Sequence, residues 1–206
     1  MIRQVPVRSF NKNFSYLISK NGSKDLIIVD PSDSEQLIAE IEFESFIPKM
    51  IILTHSHKDH IDGVFGLIEK YGVPVFAHKN ALSKLQKYGI SAEEIPEKII
   101  VQSLEINSIY TPGHSDDSIC YYIQEENALI SGDTLFVGSV GKVPDVLAMK
   151  NLYNSLSVIR KLNPKTLIFP GHDYGIRPVA QLYYEKKNNE FLKARNFFVF
   201  SKLFQV

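Results

Sequence analysis

The chain has 206 residues with 23 basic and 23 acidic side chains, so its formal net charge is zero. Equal numbers of basic and acidic side chains give no net positive electrostatic potential, so we expect neither nucleic acid nor a membrane as a partner. The length predicts one domain over residues 1–206. The sequence has no apolar signal segment and no apolar run of membrane-spanning length, so we expect a cytoplasmic location. The single cysteine, Cys120, lies in an apolar segment, which excludes a disulfide framework and indicates a core residue.

Apolar runs bounded by turn residues predict short strands in the first half of the chain. These strands are expected at residues 2–7, 14–19, 26–29, 50–53 and 73–77. A helix is expected from Ser34 to Phe46, before a proline. A second helix carries Val64, Leu67, Ile68 and Tyr71 at helical spacing, with Gly72 as its C-cap, and a short helix follows over residues 81–88.

The second half of the chain also contains both predicted strands and predicted helices. Strands are expected at residues 99–101, 105–110, 118–124 and 127–131, with a hairpin turn over residues 125–127. An apolar stripe predicts a core-facing helix over residues 149–162, and a final helix is expected over about residues 179–195. Four phenylalanines follow, Phe197, Phe198, Phe200 and Phe204, and we expect them to pack on the domain or, alternatively, on the second subunit of a homodimer.

Three of the six histidines lie in one short segment, residues 55–60, directly after the apolar run at residues 50–53. Polar side chains at this point leave the sheet together at the end of a buried strand. His55 and His57 can point in the same direction, while Asp59 and His60 reach a second point nearby. The segment therefore indicates two adjacent cations.

Three further ligand candidates also follow predicted strands: His114 and His172 after Pro-Gly turns, and Asp133 after a glycine. We expect these loops to converge with the first segment on one edge. Asp30 has two open interpretations, a carboxylate that orients a ligating histidine or the start of a turn before a proline. His78 stands apart from these groups and is expected to be structural.

The His-X-His-X-Asp-His pattern over residues 55–60 is identified as that of the metallo-β-lactamase superfamily. This resemblance implies an α/β fold with the four-layer αβ/βα sandwich of that family. It also implies a dinuclear ligand set, in which Asp133 bridges the two metals. By the resemblance, the first metal is held by His55, His57 and His114, and the second by Asp59, His60 and His172.

Within the superfamily the sequence resembles glyoxalase II and the related sulfur dioxygenases, through Thr-Pro-Gly-His114, Gly-Asp133-Thr-Leu-Phe136 and Pro-Gly-His172-Asp-Tyr174. The likeness to glyoxalase II implies that Lys142 and Tyr174 bind the substrate, although Lys142 also fits a solvated loop lysine. Val140 stands where that family has a cysteine, and Val143-Pro144 where it has a tyrosine. The short stretch after His172 is more similar to the sulfur dioxygenases.

Two divalent cations, zinc as the first expectation and iron or manganese as the others, would lower the pKa of a bridging water and produce hydroxide. A thiolate leaving group needs no strong general acid, so Asp59 can suffice as ligand and proton relay. Asp133, the bridging ligand implied by the resemblance, is the second expected catalytic residue. We therefore predict a hydrolase that cleaves a small glutathione-type thioester. Two alternatives stay open: a mononuclear Fe(II) persulfide dioxygenase that uses His55, His114 and Asp133, and a non-catalytic binding module stapled by its metals.

Overall fold

The computed structural model describes residues 1–8 and 11–204, and its strands form two mixed sheets of six strands each. The first sheet contains β1 (Ile2–Pro6), β2 (Phe14–Ile18), β3 (Asp25–Val29), β4 (Ile47–Ile52), β5 (Val75–Ala77) and β6 (Glu93–Glu94), in that order. The second contains β7 (Lys98–Val101), β8 (Leu104–Tyr110), β9 (Ile119–Ile123), β10 (Ala128–Gly132), β11 (Leu167–Pro170) and β12 (Ala180–Gln181), also in order. The helices are α1 (Ser34–Phe43), α2 (Lys58–Ile61), α3 (Val64–Tyr71), α4 (Lys79–Lys87), α5 (Val146–Ile159), α6 (Leu182–Asn188), α7 (Glu190–Lys193) and α8 (Phe197–Lys202).

Three apolar clusters separate the layers. Side chains alternate across a strand, so Leu26 and Ile28 of β3 face α1, α3 and α4, while Ile27 and Val29 face the second sheet. Both faces of β3 are therefore buried, which explains its continuous apolar run. On the far side, the second sheet packs against α5 and α8, where Phe200 is fully buried. The order of helices, sheet, sheet and helices confirms the expected four-layer α/β sandwich.

Most predicted strands differ from the observed ones by one or two residues, but α1 ends earlier than expected. It stops at Phe43 because Ser45 has a positive φ of 55° and the N–H of Phe46 turns back to the carbonyl of Ile41 at 2.9 Å. The chain then enters β4 at Ile47, three residues before the predicted start at Met50. Helix α5 also begins three residues before its predicted start at Met149. It begins at Val146 because Asp145 caps its N-terminus by accepting a hydrogen bond from the N–H of Ala148.

The prediction of one final helix over residues 179–195 is wrong. Ala180 pairs with Ile168 and continues the second sheet as β12. The remaining helix is interrupted at Asn189, whose backbone is extended with φ −83° and ψ 112°. The side chain of Asn189 accepts a hydrogen bond from the N–H of Phe191 and donates one to the carbonyl of Ser139. Capping and tertiary contacts therefore outweigh helix propensity at this position.

The aromatic tail packs mainly on its own chain. Phe200 is buried, and Phe197 and Phe204 pack beside it on the second sheet's helical layer, which confirms the core interpretation for these three residues. It is wrong for Phe198, which is 66% exposed. The homodimer contact stays a prediction. As expected, Cys120 is buried in the core.

His78 is structural, as expected. Its side chain caps α4 by accepting a hydrogen bond from the N–H of Asn80 at 3.2 Å, and its ring stacks on Tyr110.

The longest helix, α5, has 14 residues, and within residues 1–8 and 11–204 no helix could cross a bilayer.

Candidate metal centre

The structure brings all seven predicted ligands together at one end of the sandwich. The segment from His55 to His60 follows β4 and continues into α2, and His114 follows β8. Asp133 follows β10, and His172 follows β11. The strand ends thus deliver four separate loops to one point. We call His55, His57 and His114 the first cluster, and Asp59, His60 and His172 the second cluster.

The first cluster points three imidazole nitrogens at a common position. Nε2 of His55 lies 3.0 Å from Nδ1 of His57, which lies 2.9 Å from Nε2 of His114. Nitrogens about 2.0–2.1 Å from a tetrahedral zinc ion would stand about 3.3–3.4 Å apart, so only a small adjustment would be needed. The three side chains can therefore hold one cation.

The second cluster offers one carboxylate and two imidazoles. Nε2 of His60 and Nε2 of His172 are 3.3 Å apart, and Oδ2 of Asp59 is 3.6 Å from Nε2 of His172. The three ligand atoms all lie within 4.8 Å of one another. This group can hold a second cation next to the first.

Asp133 lies between the two clusters. Its Oδ2 is 3.4 Å from Nε2 of His114 and 3.2 Å from Nε2 of His172, while its Oδ1 is 3.4 Å from Nε2 of His60. The side chain is almost fully buried, and Oδ1 accepts no hydrogen bond from the described part of the chain. A buried carboxylate oxygen without a donor is strongly unfavourable unless a cation neutralises it. This oxygen fits a metal ligand, and the His and Asp clusters fit a dinuclear site.

Of the two interpretations of Asp30, the structure supports a carboxylate that orients a histidine. Its Oδ2 lies 2.9 Å from Nδ1 of His60, and it also accepts the hydroxyl proton of Thr54. Because the only hydroxyl proton of Thr54 goes to Asp30, the oxygen of Thr54 is free to accept the proton on Nδ1 of His55, 3.1 Å away. With Nδ1 held in this way, both histidines can offer Nε2 to a cation at the centre, which would take the place of any proton on that nitrogen.

Backbone carbonyls orient two further histidines. Nδ1 of His114 lies 2.8 Å from the carbonyl oxygen of Lys142, and Nδ1 of His172 lies 2.7 Å from that of Asn11. Each carbonyl can only accept a hydrogen bond, so each ring carries its proton on Nδ1 and presents Nε2 inward. The orientation of these rings is therefore fixed by the fold.

The electrostatics of the site favour a cation. Burial and the neighbouring imidazoles hold the pKa of His55 well below its usual range, and burial also lowers the pKa of His57, so both are neutral ligands. Although burial lowers the pKa of His60, the carboxylates of Asp133 and Asp30 raise it well above its usual range. Burial alone would raise the pKa of Asp133, but the surrounding histidines outweigh burial and hold this pKa well below its usual range. The carboxylate is therefore ionised. Positive charge is thus stabilised at this point.

Two glycines allow the close packing of the centre. A Cβ on Gly171 would stand 2.2 Å from Oδ1 of Asp133, and a Cβ on Gly141 would stand 2.0 Å from the backbone oxygen of Asp133. Real Cβ atoms do not approach other atoms so closely, so any side chain would displace the aspartate. The Pro-Gly before His172 therefore has a packing role beyond the turn.

Sequence reasoning missed two asparagines that bind Asp59. The side-chain amides of Asn11 and Asn13 each donate to Oδ2 of Asp59 at 3.2 Å, and Asn13 also donates to its backbone oxygen. Both residues lie in the polar turn between β1 and β2. Asparagines in a turn are common for local reasons, so the sequence alone carried only a weak signal.

Lys142 and Tyr174 lie at the rim of the centre. Both line a cavity of about 410 Å³ that also contains His57, Asp133 and His172. A neighbouring cavity of about 540 Å³ shares Lys142 and runs along the start of α5. The ring of Tyr174 stacks on that of His172, with the centroids 4.7 Å apart. Partial burial and the nearby carboxylates raise the pKa of Tyr174, so its phenol stays protonated and can donate a hydrogen bond.

A four-layer sandwich with these two clusters at its strand ends is the architecture of the metallo-β-lactamase superfamily. The chain belongs to this family, whose model matches residues 9–172. A hydroxyacylglutathione hydrolase from Pelagibacter ubique is 30% identical over 191 residues, which cover 92% of this chain and 78% of that relative. The family and such relatives make the protein a metal-binding hydrolase.

Solved structures of similar proteins agree with the fold. ETHE1 from Myxococcus xanthus superposes with a TM-score of 0.86 at 26% identity, covering 100% of this chain and 90% of that one. TTHA1623 in a di-iron-bound form superposes with a TM-score of 0.75 at 28% identity, covering 92% of this chain and 100% of that one.

Proposed function

We propose that the protein is a dinuclear metal-dependent thioesterase that cleaves a glutathione-type thioester. The observation that carries this proposal is the position of Asp133, whose two oxygens lie within 3.4 Å of histidine nitrogens from both clusters. In this proposal the first cluster would hold one cation and the second cluster the other, and Asp133, which lies between the clusters, would contribute its carboxylate. The name of the Pelagibacter relative supports the substrate class.

Two divalent cations held by these residues would supply an activated water near neutral pH and would polarise a carbonyl. The reaction forms a C–O bond and breaks the C–S bond of the thioester, and it releases a carboxylic acid and a thiol. Burial raises the pKa of Asp59, but His60 and the hydrogen bond from Asn13 outweigh burial and lower this pKa, so the carboxylate is ionised. Asp59 can therefore accept and relay the proton. The hydrogen bonds from Asn11 and Asn13 hold its carboxylate toward the centre.

Lys142 and Tyr174 are proposed to bind the thiol portion of the substrate. Lys142 forms no ion pair within the described residues and lines both cavities. Its ammonium is therefore available for a substrate carboxylate. Tyr174 is 54% exposed beside His172, where its phenol can donate to a substrate oxygen.

Imidazole and carboxylate ligands accept zinc, iron and manganese alike. We propose zinc as the first candidate, and the di-iron form of TTHA1623 supports iron as the second. Metal analysis of protein purified without added metal distinguishes them.

A second candidate is a mononuclear Fe(II) persulfide dioxygenase that uses His55, His114 and Asp133. The observation in its favour is the likeness to ETHE1, which extends over nearly the whole of both chains. In this alternative, His172 would contact the substrate or support a ligand. His172→Ala would then retain stoichiometric iron and measurable oxygen uptake, reduced about 10- to 100-fold by the loss of that contact.

One experiment separates the two candidates. Hydrolysis of a lactoylglutathione-type thioester is measured anaerobically with the wild type and with His172→Ala, and oxygen uptake is measured with glutathione persulfide. The thioesterase predicts rapid hydrolysis without oxygen, which His172→Ala abolishes together with one metal. Oxygen consumption with the persulfide and no hydrolysis would reject it.

A further inference from the structure

Asp117 is a buried carboxylate that the proposed reaction does not use. Its side chain has no exposed surface, and it lies in the loop between β8 and β9 that carries His114. Oδ2 accepts a hydrogen bond from the backbone N–H of Ser56 at 3.0 Å. Oδ1 accepts one from the hydroxyl of Ser115 and one from the ammonium of Lys84, the latter at 3.2 Å.

The partners of Asp117 are the direct neighbours of the first cluster. Ser56 stands between His55 and His57, so the direction of its peptide N–H decides where both histidine side chains point. Ser115 directly follows His114. One carboxylate therefore fixes both of the chain segments that carry the three histidines.

Lys84 connects this carboxylate to α4. Its ammonium pairs with Asp117 and also with Asp116, and the side-chain amide of Asn80 donates to the backbone oxygen of Asp116 at 2.9 Å. Two residues of α4 thus hold the loop that carries His114. The lysine supplies the positive charge that a buried carboxylate requires.

We propose that Asp117 is a positioning residue for the metal of the first cluster, because it joins the segment from His55 to His57 to the loop of His114. The inference rests on the proposed dinuclear centre. In the described structure, the hydrogen bonds of Asp117 do not reach Asp59, His60 or His172. Its loss should therefore weaken one metal and spare the other.

The test measures the dissociation constant of each metal ion by competition with a chromophoric chelator, using zinc alone as the probe. In Asp117→Ala one metal should bind about 10- to 100-fold more weakly, the usual effect of removing a group that orients a ligand. The second metal should bind as in the wild type. Asp116→Asn is the matched control, since it removes the exposed partner of the same lysine and should change neither constant.

A double variant assigns the affected metal. His57→Ala removes a first-cluster ligand and should retain the metal of the second cluster. The dissociation constant of that retained metal should be the same in His57→Ala and in the double variant Asp117→Ala/His57→Ala. If Asp117→Ala does not fold, Asp117→Asn takes its place. Its amide oxygen can accept from Ser56, but its NH₂ group then faces Lys84, which has no acceptor. A smaller loss confined to the same metal is expected.

Equal weakening of both metals, or of neither, in a folded variant would overturn the inference. So would a further loss in the double variant relative to His57→Ala. A wild type that binds only one metal would instead reject the dinuclear centre. In that case the positioning role stands if Asp117→Ala weakens that single ion and Asp116→Asn does not, and it fails if Asp117→Ala binds the ion as tightly as the wild type.

Discussion

Oδ2 of Asp30 lies 2.9 Å from Nδ1 of His60, and neither side chain is exposed. The same carboxylate reaches His55 through the hydroxyl of Thr54. His55 belongs to the first cluster and His60 to the second. One carboxylate therefore orients a ligand candidate in each cluster, whereas Asp117 contacts only the segments of the first.

We predict that Asp30→Asn weakens both metals. Asp30 accepts from Thr54 N–H, from the Thr54 hydroxyl and from His60, and an asparagine must present its NH₂ group to at least one of these donors. Each dissociation constant should rise about 10- to 100-fold. The buried mismatch should also lower the free energy of unfolding by about 1–3 kcal/mol.

Metal titration and chemical denaturation of the apoprotein measure the two effects separately. Asp62→Asn is the control, because Asp62 is an exposed residue near the same segment and pairs with the exposed Lys58. Metal binding unchanged in Asp30→Asn would contradict the orienting role.

We predict that Gly171→Ala removes the bridging position. The new methyl group would meet Oδ1 of Asp133 at 2.2 Å and Cε1 of His60 at 2.9 Å, so the carboxylate must move. Metal content should fall below that of the wild type, with a destabilisation of about 1–3 kcal/mol from overpacking. Gly72→Ala is the control: it is strained by its φ of 64°, but nothing lies near its Cβ. It should lower stability and leave the metal content unchanged, and equal metal contents in both variants would reject the packing argument.

We predict that the aromatic tail stabilises the fold through Phe200. Phe200→Ala removes a fully buried ring from the layer formed by α5 and α8 and should cost about 3–5 kcal/mol. Phe198→Ala, on a side chain that is 66% exposed, should change stability by less than about 0.5 kcal/mol. Urea denaturation of both variants tests this contrast. A lower solution mass of Phe198→Ala would reveal that this ring lies in a homodimer contact.

The ligand set could be read from the sequence because each ligand follows a buried strand, and strand ends of one sandwich meet in space. His55, Asp133 and His172 are examples, and the structure brings them together as expected. Asp117 and Asn11 carried no such signal. Their partners, Ser56 and Asp59, are remote in sequence, so only the folded chain shows the contacts.

The missed elements have the same origin. β6 and β12 have two residues each, and they exist because a neighbouring strand pairs with them rather than because of their own composition. Asn189 breaks the final helix by binding Ser139, a residue far away in the chain. Such tertiary contacts override local propensity, which single-sequence reasoning cannot weigh.

The last prediction tests substrate recognition. If Lys142 binds a carboxylate of the thiol portion, Lys142→Met should raise KM for a lactoylglutathione-type thioester about tenfold, the factor expected for one charge-assisted hydrogen bond. The kcat should change little, because the backbone carbonyl of Lys142, which binds His114, is retained and the lysine ammonium forms no ion pair with either cluster in the described structure. The control is a substrate in which the carboxylate is converted to an amide, and wild type and variant should then have the same KM. If Lys142 is instead a solvated loop lysine, wild type and Lys142→Met should have the same KM for each of the two substrates. A fall in kcat with an unchanged KM would indicate disturbance of His114, and the recognition role would be rejected.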